Sequence, residues 1–399
     1  MTDTTVVQTP HAGARATAPT VQAFVGDAES EAAIRQAMTN LNVRDADYVS
    51  GNIEDAITAL SQRPSPRLLI VDITDAANPV ARIHALADVC EPNTGVVVIG
   101  DRNDIVLYRD LRYAGVAEYF FKPLVSDPVS RACNAVLTGG TEQQPQRTGK
   151  LVLMLGVRGG VGATTIAVNT AWRLAETRQR WVMLLDLDLQ NGDAALQLDE
   201  TPSHALREAV EHPERVDKLF LERAVTPVER RIDLLSSLEP LGETIVPDAA
   251  GIPRLLSSLL QRYRFIFVDV PATQAAQLLP SLPMPMTCVL VSGGSLTSAR
   301  DVARWRDWFA INMPDRVLLH LLNKHGAPDA LPEQEFIRAA GQAPDLKVPF
   351  DRDIAAASVL GIKGTQKCAA LTRGLVPLLR QLSGEQAAQQ SSFIKRWFS

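Results

Sequence analysis

The chain has 399 residues, 46% of them hydrophobic, and a formal net charge of −5. That is enough apolar material for two or three packed domains, and the acidic balance excludes a general attraction to nucleic acid, so no nucleic-acid partner is expected. The four cysteines, Cys90, Cys133, Cys288 and Cys368, lie far apart without C-x-x-C spacing, which argues against a metal site or a disulfide framework and fits a reducing cytoplasm. No basic-then-apolar leader is visible and no apolar run approaches the ~20 residues of a membrane span, so any membrane contact is expected to be peripheral.

Residues 1–20 are rich in Thr, Ala, Pro and Gly and read as a flexible tail. From residue 21, short apolar runs alternate with helical stretches: VQAFVG before SEAAIRQAM, RLLIVDI before ARIHALADV, GVVVIGD before IVLYRDLRYAG, AEYFFKPL before SRACNAVL. The alternation predicts an α/β domain over residues 21–137, a parallel sheet with helices on its faces. Asp27 follows the first strand, Asp72 closes the run RLLIVD, and Lys122-Pro123 follow the last strand. Residues 138–149, TGGTEQQPQRTG, are polar with Gly and Pro and read as a linker.

Residues 150–385 read as a second doubly wound α/β domain, opened by LVLMLGVRGGVGATTIAVNTAWRLA. Its apolar run turns through Arg158, Gly159, Gly160, Val161, Gly162, Ala163, Thr164 and Thr165 into apolar residues at helical spacing: strand, phosphate loop, helix. Glycines let successive N–H groups point inward, and the helix N-terminus adds donors and the positive end of a dipole, so these eight residues are the expected nucleotide-binding loop. Against the pattern G-x-x-x-x-G-K-[ST], Ala163 stands where the lysine belongs, and Thr164 takes the magnesium position. The backbone cradle survives while a group that neutralises transition-state charge is lost, so binding is expected ahead of turnover.

Downstream, WVMLLDLDLQNGDAAL empties an apolar strand into Asp186, Asp188 and Asp193. Carboxylates at a strand's C-terminal end lie on the ligand side of an α/β sheet, so Asp186 and Asp188 are the expected catalytic residues, reaching magnesium or positioning water. Asp193 suits a cap on the following turn. RYRFIFVDVPA ends in Asp269, placed to hold magnesium through water. MTCVLVS, ARDVARWRDWFA and DRVLLHLLNKHG continue the alternation; Asn323 closes a strand, where its amide can pair with an adenine edge or cap a turn, and Pro349 and Phe350 can flank the base. Residues 201–250 hold two helical patterns and the strand RIDLLSS, and residues 366–384 suggest a last helix interrupted around Gly374 and Pro377. In the final segment, residues 386–399, Phe393, Ile394, Trp397 and Phe398 fall on one helical side and Lys395 and Arg396 on the other, a patch suited to a membrane interface, a partner groove or folding back.

Together RGGVGATT, DLDLQNGDAAL, FIFVDVPA, LLNKHG and VPFDRD resemble the MinD/ParA class of deviant Walker ATPases. That class usually carries K-G-G-x-G-K-[ST]-[ST], its first lysine reaching across a dimer to the partner's nucleotide; here Arg158 stands at that lysine and keeps the charge. The first domain resembles a response-regulator receiver, with Asp72 at the phosphorylated aspartate and Lys122 at the receiver lysine, although Gly26 breaks the acidic pair and Gly100-Asp101 replace the Thr or Ser after the fourth strand. Asp72 as a phosphoacceptor and a receiver-like unit used for docking or dimerisation both stay open. The two domains in this order resemble the TadZ/CpaE proteins of tight-adherence (Flp-type) pilus assembly. The resemblance implies ATP and Mg2+, a homodimer, a cytoplasmic place at the cell pole or peripheral to the inner membrane, and contact with pilus and secretion machinery including a secretion ATPase. The leading expectation is therefore an ATP-binding assembly and localisation factor with weak or no hydrolysis. The alternatives are an active ParA/MinD-like ATPase cycling on membrane or DNA, and a receiver-controlled response regulator.

Overall fold

A computed structural model of the chain describes residues 18–139, 149–176, 180–229 and 231–383. Phe393, Ile394, Trp397 and Phe398 lie outside the described residues, as do residues 1–17 of the N-terminal segment and 140–148 of the expected linker. The chain divides into two compact units between residues 147 and 148.

The first unit runs β1 (Val21–Val25), α1 (Ala28–Asn40), β2 (Ala46–Ser50), α2 (Ile53–Leu60), β3 (Leu68–Asp72), α3 (Pro79–Val89), β4 (Gly95–Gly100), α4 (Ile105–Tyr113), β5 (Glu118–Phe121) and α5 (Ser126–Thr138). All strands are parallel, in the order β2-β1-β3-β4-β5. Alternate residues serve opposite faces: Leu69 and Val71 pack with α2, α3 and α4, whereas Leu68 and Ile70 pack with α1 and α5. Such a sheet is covered on both sides, which is why β1 and β3 are apolar almost throughout. The periodicity predicts four strands here, and the structure adds β2 and α2. The sequence ADYVS conceals β2 because it is a half-exposed edge strand, where polar side chains are tolerated and no apolar run is needed. Asn52 starts α2 with a capping box closed by Asp55.

The second unit runs β6 (Lys150–Gly156), α6 (Ala163–Glu176), β7 (Val182–Asp186), α7 (Ala194–Leu198), α8 (Ala205–Glu211), α9 (Lys218–Ala224), β8 (Thr226–Glu229), β9 (Ile232–Leu235), α10 (Gly251–Leu260) and β10 (Phe265–Val270). It continues with α11 (Ala272–Leu278), β11 (Met286–Ser292), α12 (Leu296–Asn312), β12 (Val317–His325), α13 (Glu333–Ala340), β13 (Leu346–Pro349), α14 (Arg352–Ser358), α15 (Ile362–Thr365) and α16 (Ala369–Ser383). The eight strands lie in the order β13-β12-β11-β6-β10-β7-β9-β8, parallel except for the antiparallel edge pair β8 and β9. The fold class is α/β in both units, each built on a doubly wound sheet. β6 sits in the middle, with β10 and β7 on one side and β11, β12 and β13 on the other, so loops after five strands converge over its C-terminal end.

Two expectations need correction. Residues 201–250 contain the extra strand β8, whose TPVE pattern with Pro227 gives no strand signal because it pairs on one side only. The last helix is continuous: α16 carries Pro377 inside it and is not interrupted at Gly374. Leu371, Leu375, Leu378, Leu379 and Leu382 are all buried, and their burial outweighs the ~3 kcal/mol cost of an internal proline. Gly374 is a contact point, since a Cβ there would lie 3.0 Å from Val348 Cα and 3.1 Å from Pro349 Cδ. Gly374→Val is expected to destabilise the second unit by about 1–3 kcal/mol through overpacking, seen as a lower urea midpoint for the full chain.

Candidate nucleotide site

The loop between β6 and α6 takes its shape from three backbone requirements. Gly160 and Gly162 have φ of +77° and +88°, which side chains rarely adopt. A Cβ on Gly159 or Gly160 would meet nothing within 4 Å, so that side of the loop faces open space. A Cβ on Gly162 would lie 2.6 Å from Asn323 Nδ2, so only glycine lets the loop approach β12. Buried Asn323 then donates its Nδ2–H to the Val161 carbonyl at 2.9 Å, and Lys324 Nζ donates to the Gly160 carbonyl at 3.3 Å. In this structure the Asn323 amide holds the loop.

The loop walls a cavity of about 600 Å³. Arg158, Gly159, Gly160, Val161, Gly162, Ala163, Thr164 and Thr165 line it from below, Asp186, Asp188, Asp193 and Asp269 from the β7 and β10 side, and Asn323, Pro349 and Phe350 from the β12 and β13 side. The structure thus brings every residue singled out for nucleotide, magnesium or catalysis to one place. The cavity is of a size ordinary for a small-molecule site. Sequence reasoning missed Lys324 and Asp351, which also line it. It also passed over Val157, at the first glycine of the phosphate-loop pattern, buried with its N–H donated to the Val291 carbonyl at 2.9 Å. The cation directly after Asn323 was the available signal for Lys324.

Two carboxylates are crowded under the loop. Asp186 and Asp269 occupy paired positions on the adjacent strands β7 and β10, 2% and 8% exposed. Burial pushes Asp186 up to about 6 against the N–H donors of Asp188 and Ala194, which lower it. Burial, then the neighbouring Asp186 charge, pushes Asp269 up to about 7, opposed by a hydrogen bond from Thr164. Asp188 is half-buried and accepts the Asn191 N–H at 2.9 Å. The expected cap is reassigned: Asp186, not Asp193, accepts the Ala194 N–H that opens α7 (3.2 Å), while Asp193 binds the Gln197 amide (3.0 Å). Asp186 reaches the helix from inside the sheet, whereas Asp193 has no side-chain cap bond to α7. The exposed Arg158 side chain has Nη1 3.9 Å from Asp301 Oδ2 on α12.

This donor set fits a magnesium nucleotide. Gly159 and Gly160 leave room where phosphate oxygens would approach the backbone, and the Thr164 hydroxyl and Asp269 supply hard oxygen ligands beside buried negative charge that a cation would relieve. Among the described residues no group of three or more His, Cys, Asp or Glu is placed to hold a metal ion by itself.

In the first unit, Lys122 Nζ lies 2.7 Å from both Asp27 Oδ2 and Asp72 Oδ2. Asp72 is 3% exposed, and its other oxygen accepts from the Thr74 N–H (2.9 Å) and hydroxyl (2.6 Å). Burial works to raise both carboxyls, yet hydrogen bonds from Lys122 together with nearby N–H and hydroxyl donors outweigh it and hold both below their usual range.

No family model and no curated protein matches the chain. Among solved structures, it is 22% identical to a ParA family ATPase from Chlorobium tepidum TLS, over 58% of this chain and 98% of that one, with a TM-score of 0.51. It is 36% identical to the pilus assembly protein CpaE from Caulobacter crescentus CB15, over 30% of this chain and 98% of that one, with a TM-score of 0.28. It is 20% identical to the septum site-determining protein MinD complexed with Mg-ADP from Pyrococcus horikoshii OT3, over 59% and 95%, with a TM-score of 0.48. The chain thus carries the fold of a ParA family ATPase and is similar in sequence to a CpaE pilus assembly protein.

Folded Asp186 and Asp269 bind protons more tightly than an unfolded aspartate with a value near about 3.9, so their contribution to stability falls as pH rises through about 6 and about 7. Unfolding of the metal-free protein is expected to become easier between about pH 4 and about pH 7, and Asp269→Asn to flatten that slope in urea titrations run at each pH.

Proposed function

We propose that the protein is an ATP-binding assembly and localisation factor for a Tad/Flp-type pilus machine, working as a homodimer with Mg2+ and hydrolysing ATP weakly or not at all. The observation that carries this reading is Ala163 at the head of α6, in a cavity that keeps the glycine cradle, Thr164 and the buried carboxylates. Gly159 to Thr165 cradle phosphate, Thr164 and Asp269 serve magnesium, Asp186 and Asp188 face the water, and Pro349 and Phe350 flank the base, with Asn323 between base and loop. Such a site holds a triphosphate without the lysine that follows charge into the transition state, so nucleotide acts as a structural ligand more than a fuel. Arg158, loosely held by Asp301, is the group that crosses to a second copy.

The pilus assignment is supported by the pairing of this loop with a receiver-like unit and by the 36% identity to a CpaE pilus assembly protein. Partners are the pilus and secretion machinery, a secretion ATPase among them, met in the cytoplasm at the pole or against the inner membrane. No helix among the described residues is long and apolar enough to cross a membrane, so the proposed contact is peripheral, through residues 386–399. The receiver-like unit serves docking or dimerisation: Asp72 is buried and already bonded at both oxygens. Acetyl-phosphate labelling of the full chain is accordingly expected to be absent, and unchanged in Asp72→Ala; labelling lost in that variant would restore the response-regulator reading.

The decisive experiment is ATP binding and turnover with magnesium for wild type, Ala163→Lys and Asp188→Ala. Tight binding with near-zero turnover, raised at least about tenfold in Ala163→Lys, is the expected result. Substantial wild-type turnover that Asp188→Ala abolishes would favour the cycling ATPase.

A further inference from the structure

Lys324 has no part in the roles assigned above, yet its position is built with care. Of the residues lining the cavity, the cations are Arg158 and Lys324, against Asp186, Asp188, Asp193, Asp269 and Asp351. Arg158 leans toward Asp301, which is not part of the lining. Lys324 Nζ rests 3.3 Å from the Gly160 carbonyl, and no carboxylate pairs with it among the described residues. Its backbone is left-handed at φ +55°, a conformation that costs a non-glycine residue about 1–2 kcal/mol. The pairing of β12 with β13 shifts register between Leu322 and His325, a bulge of the kind that re-aims a side chain beside a site. Asn323 fixes the result, its Oδ1 accepting the Lys324 N–H at 2.9 Å while its Nδ2 holds the loop at Val161. Gly326, at φ +80°, would have been the cheaper place for a left-handed turn alone.

We propose that Lys324 is the phosphate-binding cation of this site, supplying to a nucleoside triphosphate the positive charge that Ala163 does not. The inference rests on the nucleotide reading of the cavity. A magnesium triphosphate entering among five carboxylates meets neutral N–H donors from the loop, so affinity depends on a nearby ammonium. The charge comes from β12, outside the loop and helix that bear the usual lysine. It therefore serves binding without following the transferred phosphoryl group, which accounts for a site built to hold and not to turn over.

The test is a fluorescence titration of the full chain with magnesium, using mant-ATP and mant-AMP, for wild type, Lys324→Gly, Lys324→Arg and Lys324→Gly with Ala163→Lys. Glycine suits φ +55°, so Lys324→Gly is expected to fold with an equal or higher thermal midpoint. It should bind mant-ATP at least about tenfold more weakly, and mant-AMP within about twofold of wild type. Lys324→Arg should retain most of the mant-ATP affinity, and Ala163→Lys should restore it in the glycine variant. Unchanged mant-ATP binding in Lys324→Gly, or an equal loss of both nucleotides, would overturn the proposal and leave Lys324 as a prop for the loop. Wild type that binds neither nucleotide would instead remove the nucleotide reading, and this inference with it.

Discussion

The second unit is governed by two acids placed side by side in a dry place. Asp186 and Asp269 sit at paired positions on neighbouring strands, each nearly buried, and the charge of Asp186 works against the ionisation of Asp269. A fold tolerates such a pair when something positive is due to arrive. The Thr164 hydroxyl, the open faces of Gly159 and Gly160 and the helix N-terminus at Ala163 surround the place where that charge would come, so the arrangement is intelligible as one half of a complex.

The first unit has the same elements and the opposite balance. Lys122 stands between Asp27, just after β1, and Asp72, at the end of β3, and its one charge is shared by the two carboxylates. The buried Asp72 also accepts from the Thr74 N–H and hydroxyl. Two α/β sheets in one chain, each with acids at the carboxyl edge, therefore differ in whether the cation is already present.

Much of this was legible in the residues. Parallel strands buried on both faces must be apolar, so VQAFV, LLIVD, VMLLD and FIFVDV announce themselves, and an aspartate at the end of such a run can only face the edge where ligands bind. Edge strands escape notice because one side needs no partner and polar residues are permitted: β2 reads ADYVS and β8 reads TPVE. Pro377 misled because propensity is local, whereas the five leucines that bury α16 are a tertiary matter. Site details were lost for a similar reason. That Asn323 bonds the loop carbonyl, and that Asp186 takes over the cap of α7, depends on which strands become neighbours, and single-strand patterns do not carry that.

The end of α16 gives the second unit a direction. Lys150 Nζ at the start of β6 donates to the Leu382 carbonyl, so the described chain ends beside the entry of the central strand. The phosphate loop lies at the other end of β6, a strand length of roughly 20 Å away. The last described residues and the mouth of the cavity therefore lie at opposite ends of the central strand.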